Sequence, residues 1–160
     1  MACEYYLAGC RLDGQSGHDA GRDLLRQLYK AHVGGELPPI LHGSVGKPYF
    51  ADSPWHFSIT HTRHHAFCVL APQPVGIDAE EIGREMDLRL IHRFLSPAEA
   101  QRISSAANPQ DALLRLWVLK ESYAKLTGRG IGNYLKNTDF FPNDPRIQII
   151  DGCYVAILEE

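Results

Sequence analysis

Asp78-Ala79-Glu80, at the end of the β-prone run Val75-Gly76-Ile77, places two carboxylates two residues apart. In extended geometry both point to the same side. Two carboxylates converging on one site repel unless a cation lies between them. Mg2+ suits such a pair, because it takes oxygen ligands and keeps positions for water and phosphate. Taken alone, the pattern reads equally as a solvated acidic turn. Glu81 is expected to face the other way. A second stretch, Leu113 to Thr127, reads as one helix with Leu113, Leu116, Trp117, Tyr123 and Ala124 on an apolar face. Lys120 falls in the middle of that face, and Glu121 and Lys125 fall together on its flank. A buried unpaired ammonium costs several kcal/mol, so Lys120 must snorkel or find an anionic partner. Glu121–Lys125 could be no more than a surface pair one turn apart, stabilising by about 0.2–0.5 kcal/mol.

Ser58-Ile59-Thr60-His61 places a hydroxyl and an imidazole after a strand, a combination able to bind phosphate. His64 and His65 follow closely and raise the question of zinc. The chain has neither HExxH nor a cysteine cluster, so zinc is not expected. No GxSxG elbow points to a serine hydrolase. Gly46-Lys47-Pro48 sits in a loop-rich segment from Glu36 to Phe50. His18 to His32 reads as a helix with Leu24, Leu25 and Leu28 apolar. On another face, Arg22, Arg26 and Lys30 are spaced four apart, with no compensating run of acids. They form either a solvated face or a phosphate-binding edge.

The elements that must position these groups follow from the pattern of apolar and turn residues. Glu4 to Leu12, Trp55 to Ile59, Ala66 to Leu70 and Val75 to Asp78 read as strands, as do Thr138 to Phe141, Ile147 to Ile150 and Cys153 to Leu158. A helix is expected over Leu88 to Phe94. Another starts at Ser96-Pro97-Ala98-Glu99, with serine at the N-cap, proline first and glutamate third. Pro72 and Pro74 mark a break between halves 1–74 and 75–160. This order fits an α+β protein better than an alternating parallel sheet. The 160 residues allow one domain, or two small halves sharing a core. A net charge of −3 gives no general nucleic-acid surface. No stretch approaches the ~20 apolar residues needed to span a membrane. The N-terminus lacks a basic start and reads as a first strand rather than a signal peptide, so a cytoplasmic protein with its four cysteines reduced is expected.

Phe57-Ser58-Ile59-Thr60-His61, then Val75 to Glu80, then Trp117-Val118-Leu119-Lys120-Glu121-Ser122-Tyr123-Ala124-Lys125 occur in that order. Together they resemble the 4′-phosphopantetheinyl transferase superfamily, with its Gly-x-Asp-x-Glu and Trp-x-x-Lys-Glu-x-x-x-Lys motifs. Gly46-Lys47-Pro48 and Phe-x-x-Thr-His point to the surfactin-synthetase-type branch. The resemblance implies transfer of the phosphopantetheine arm of coenzyme A to a serine of an apo acyl or peptidyl carrier protein, releasing 3′,5′-ADP. It implies Asp78, Glu80 and Glu121 as Mg2+ ligands, and Lys120 and Lys125 as phosphate contacts that stabilise the transition state. Glu121 or a metal-bound water would take the serine proton. Lys47 and His61 match positions that grip coenzyme A phosphates, with Thr60 helping and Arg22 and Arg26 offering cations to the nucleotide. The implied fold is a pseudo-twofold pair of similar α+β halves with the active site in the cleft between them.

A monomer is then expected. The chain is short for this branch, with about 28 residues after Gly132. A trimmed set of strands would expose a sheet edge and leave room for a dimer. Two other classes compete with the transferase. One is a coenzyme A- and carrier-binding protein without turnover. The other is a Mg2+-dependent phosphate-ester hydrolase that would act without a carrier.

Overall fold

The computed structural model describes residues 5–160, so Cys3 and the start of the first expected strand at Glu4 lie outside the described residues. The chain is α+β. Strand β1 (Tyr6–Arg11) leads to helix α1 (Gly17–His32), the short hairpin β2 (Ile40–His42) and β3 (Pro48–Phe50), then β4 (His56–His61) and β5 (His65–Ala71). After the prolines come β6 (Val75–Glu81), α2 (Leu88–Ile91) with a 3-10 turn over His92–Phe94, α3 (Pro97–Ser104) and α4 (Pro109–Thr127). A second 3-10 turn (Asn133–Asn137), β7 (Ile147–Ile150) and β8 (Cys153–Glu159) complete it. The two larger sheets are antiparallel, in the orders β1-β5-β4 and β6-β8-β7.

The near-continuous apolar run of β5 has a simple cause. Its alternate residues Ala66, Cys68 and Leu70 pack with Leu24, Leu25 and Leu28 of α1. The residues between them, Phe67, Val69 and Ala71, pack with Val75, Ile77 and Ala79 of β6 and with Val155 and Ile157 of β8. A strand covered on both faces needs apolar residues at every position. That second cluster joins the sheet of the first half to the sheet of the second.

Helix α4 is the centre of the other core. Asn108 caps it through Asp111 N–H (3.1 Å), Pro109 opens it, and Gly128 ends it in the left-handed region at φ +70°. It starts one turn before Leu113. Leu114, Val118 and Leu119 are buried along with the expected face, because β6 and β8 cover one side while α3 and the 140 region cover another. The start of α3 carries the full capping box: Ser96 Oγ accepts from Glu99 N–H (3.0 Å), and Glu99 Oε1 accepts from Ser96 N–H (2.8 Å).

Three expectations of secondary structure differ. Leu88 to Phe94 is a single α-turn followed by a 3-10 turn rather than one helix. Thr138 to Phe141 joins no sheet, since Phe140 N–H donates to the Glu99 carboxylate (2.9 Å) instead of to a neighbouring strand. The Gly- and Pro-rich segment after α1 makes the small β2–β3 hairpin. At the far edge of the second sheet, β7 leaves Ile149 65% exposed.

Candidate active site

Strand β6 separates the two sides of the site by its period of two. Val75, Ile77 and Ala79 face the shared core; Gly76, Asp78 and Glu80 face α4 and β4. Helix α4 crosses β6 at Gly76 in backbone contact. A Cβ there would lie 2.1 Å from Ser122 O and 2.6 Å from Leu126 N. Ser122 Oγ donates to Gly76 O (2.9 Å) and fixes the crossing. Glu121 and Lys125 are thereby laid over Asp78. From the other side, β4 is held by Ile77 N–H donating to Ser58 Oγ (3.1 Å).

One carboxylate oxygen from each of Asp78, Glu80 and Glu121 lies within 4.8 Å of the others, and among the described residues this is the group able to hold a metal ion. Asp78 is 2% exposed. Its Oδ1 accepts from Lys125 Nζ (3.0 Å) and Thr60 Oγ1 (3.2 Å). Its Oδ2 is buried with no hydrogen-bond partner. Burial, then the negative charge of Asp78, pushes Glu121 up to about 9, with Lys125 opposing. Burial and Asp78 also raise Glu80, against the pull of Arg84. A proton on Glu121 is one way to satisfy the orphaned Asp78 oxygen, and a cation among the three acids is the other. The donor set is all hard oxygen, as Mg2+ requires. The residues present therefore fit a divalent cation.

The acids stand between two hollows. One, of about 340 Å3, is lined by Lys47, Pro48, Phe57, Ile59, Glu121, Ala124 and Lys125, among others. The other, of about 690 Å3, is lined by His61, Thr62, Arg63, Glu80, Glu81 and Arg84, among others. Lys47 Nζ donates to Leu126 O at the end of α4 (3.2 Å), and its stem packs beside Gly128. Burial lowers its pKa. The exposed His61 ring covers Gly17 at the start of α1, where a Cβ would meet it at 2.2 Å. Glu81 turns away from the cluster, as its place on the strand requires, and accepts from Thr62 Oγ1, His64 N–H and the His64 ring.

The structure does not bring every expected residue to this place. Lys120 is 0% exposed on the far side of α4. Its ammonium pairs with Glu99 and donates to Leu135 O (2.6 Å), Thr138 Oγ1 (2.8 Å) and Thr138 O (3.1 Å). It has found an anionic partner inside the protein, and its donors are taken. One position separates it from Glu121, about 100° around the helix, which is enough to put the two on opposite layers. The Thr60 hydroxyl is spent on Asp78 rather than left free for phosphate. Arg26 is exposed and paired with Asp23 (2.8 Å), which also accepts from Gln15 (2.7 Å), so the cations of α1 are not without acids. Arg22 is half-buried on the same helix; burial pushes the Cys68 thiol up, and nearby Arg22 offsets part of this.

Two residues of consequence escape the sequence reading. Arg84 Nη1 donates to Glu80 Oε2 (2.5 Å) at the rim of the second hollow. It stands among three glutamates in the segment from Glu80 to Glu85, and nothing in its spacing marks it as part of the site. Glu99 is legible as a capping residue, and its negative charge could have been matched to the lysine stranded on an apolar face.

A family model described as the 4′-phosphopantetheinyl transferase superfamily matches residues 74–152, a span that includes Asp78, Glu80, Glu121 and Lys125. The chain is 35% identical over 123 residues to 4′-phosphopantetheinyl transferase psf-1 of Bacillus pumilus, covering 71% of this chain and 52% of that protein. It is 35% identical over 107 residues to 4′-phosphopantetheinyl transferase gsp of Aneurinibacillus migulanus, covering 66% of this chain and 44% of that one. It is 34% identical over 89 residues to 4′-phosphopantetheinyl transferase Sfp of Bacillus subtilis (strain 168), covering 54% and 39%. The matches span about half the length of these curated relatives or less. No helix among the described residues is long and apolar enough to cross a membrane.

Proposed function

Because the chain belongs to the 4′-phosphopantetheinyl transferase superfamily of the surfactin-synthetase type, we propose that it carries out that transfer. It takes the 4′-phosphopantetheine arm from coenzyme A and places it on a serine hydroxyl of an apo acyl or peptidyl carrier protein. It releases 3′,5′-ADP and depends on Mg2+. The observation that carries this reading is the convergence of Asp78, Glu80 and Glu121 around an unpaired buried oxygen, with Lys125 beside them.

Asp78, Glu80 and Glu121 hold the cation, which when bound neutralises charge developing on the diphosphate leaving group. Lys125, one turn after Glu121, holds a diphosphate oxygen from the helix side. Lys47 reaches the same cleft and offers the ammonium protons that Leu126 O does not use. His61 faces the second hollow and binds a phosphate there. Without a cation, burial and the charge of Asp78 keep a proton on Glu121; holding the cation requires its carboxylate form, which is also the form able to accept the serine proton. Residues 1–74 then supply phosphate-binding groups and 75–160 the acids. The protein works in the cytoplasm as a monomer.

The test is the intact mass of an apo carrier protein incubated with this protein, coenzyme A and Mg2+, with and without EDTA. A gain of about 340 Da, one phosphopantetheine arm, that disappears with EDTA is expected. Coenzyme A binding without any gain on several carriers would overturn transfer and leave a binder. Nucleotide released from coenzyme A without a carrier would indicate a hydrolase.

A further inference from the structure

We propose that Arg84 is a built-in counter-cation of the acidic cluster, which a divalent metal ion must displace from Glu80 in order to bind. This rests on the reading of Asp78, Glu80 and Glu121 as a metal site. The pairing is made by a turn and not by a helix. Strand β6 ends at Glu81, and Arg84 N–H donates back to Glu81 O (3.1 Å). Gly83 sits at φ +92°, the left-handed conformation that favours glycine at the third position of such a turn. The chain reverses there, and the Arg84 side chain runs back along the strand to Glu80 Oε2.

Two of the three acids already have a cationic partner without a metal. Lys125 lies on Asp78 and Arg84 on Glu80. A metal ion entering the cluster therefore does not meet three free carboxylates; two of them are already engaged in charge-assisted hydrogen bonds. Which partner gives way is set by burial. The Glu80 side chain is 7% exposed and part of the wall, whereas the Arg84 side chain is 57% exposed. Releasing the guanidinium returns it to water and to the second hollow beside His61 and Arg63, with no new charge buried. Lys125, 33% exposed and fixed on α4, is the less mobile cation. The exchange keeps the metal-free protein electrostatically balanced and lowers its affinity for metal alone.

Isothermal titration calorimetry with MgCl2 alone and MnCl2 alone, at pH 8, tests this on the full chain. Arg84→Gln should bind either ion at least about threefold tighter than the wild type, the scale of one partly exposed ion pair. Arg84→Lys, which keeps the positive charge, should stay nearer the wild type. Arg89→Gln, which breaks an exposed pair with Asp87, should change nothing. The rise in melting temperature on saturating Mg2+ should likewise be larger for Arg84→Gln than for wild type. Unchanged or weaker metal binding by a folded Arg84→Gln protein, with binding by wild type intact, would overturn the role of Arg84 and leave the metal site standing. Absence of metal binding in the wild type would remove both.

Discussion

Lys120→Met should damage the stability of the protein far more than its chemistry. The lysine side chain is wholly buried, and its ammonium sits among Glu99, Leu135 O and both oxygens of Thr138. Glu99 is also wholly buried and already accepts from Ser96 N–H and Phe140 N–H. Those two bonds orient the carboxylate but do not neutralise it. Removing the cation leaves an uncompensated buried charge, at a cost of about 3–5 kcal/mol. In a chain of this size each kcal/mol lowers the melting temperature by about 2–4 °C, so a fall of about 6–20 °C is expected. The double variant Lys120→Met/Glu99→Gln removes both charges and keeps the volume. It should recover part of the loss, giving a coupling of about 1–3 kcal/mol in a double-mutant cycle. Urea denaturation in EDTA measures this, with Lys136→Ala, an exposed lysine, as control. Coenzyme A binding by the folded fraction at low temperature should survive. A Lys120→Met protein as stable as the control, yet with transfer lost and no coupling to Glu99, would refute the reasoning and return Lys120 to the chemistry.

Other perturbations test the frame around the acids. Gly76→Ala puts a methyl group 2.1 Å from Ser122 O, a backbone atom that cannot rotate away, so α4 must lift off β6. It should abolish the Mg2+-induced rise in melting temperature, and a rise equal to that of wild type would show that the crossing does not set the site. In EDTA, the folded protein holds a proton on Glu121 up to about pH 9, whereas the unfolded chain loses it near its ordinary value of 4.5. The folded state therefore binds more protons in that window, and stability should fall as pH rises through it. Glu121→Gln should flatten the decline of melting temperature between pH 6 and 9; identical slopes would contradict the protonated carboxyl. Lys125→Met removes the cation from Asp78 Oδ1 and should weaken coenzyme A binding by about tenfold or more without altering the circular dichroism spectrum. An unchanged dissociation constant would exclude Lys125 from ligand binding.

Much of the local structure is legible because it is governed by near neighbours in sequence. The capping box of Ser96 and Glu99 is a contact over three residues, and Pro97 can only help it. The alternation in Val75 to Glu81 follows from the pleat, so Asp78 and Glu80 must share a side while Ala79 and Glu81 take the other. The α+β class follows from the order of such segments. Thr138 to Phe141 has the composition of a strand, but a strand also needs a partner with free backbone groups. Here the nearest acceptor is the side chain of Glu99.

The amino-acid sequence by itself determined which face of its own element each charged residue occupies. It placed Asp78 beside Glu80, Glu121 one turn from Lys125, and Lys120 on an apolar surface with an anion required somewhere. Only the tertiary structure decided what each face meets. The backbone contact at Gly76 lays α4 over β6 and carries Glu121 to Asp78. The packing of α3 on the other side of the same helix delivers Glu99 to Lys120. Helical and strand periods fix directions within an element over a few residues, whereas the meeting of α4 with α3 and with β6 depends on docking between residues about 20 to 46 positions apart, which no local spacing encodes.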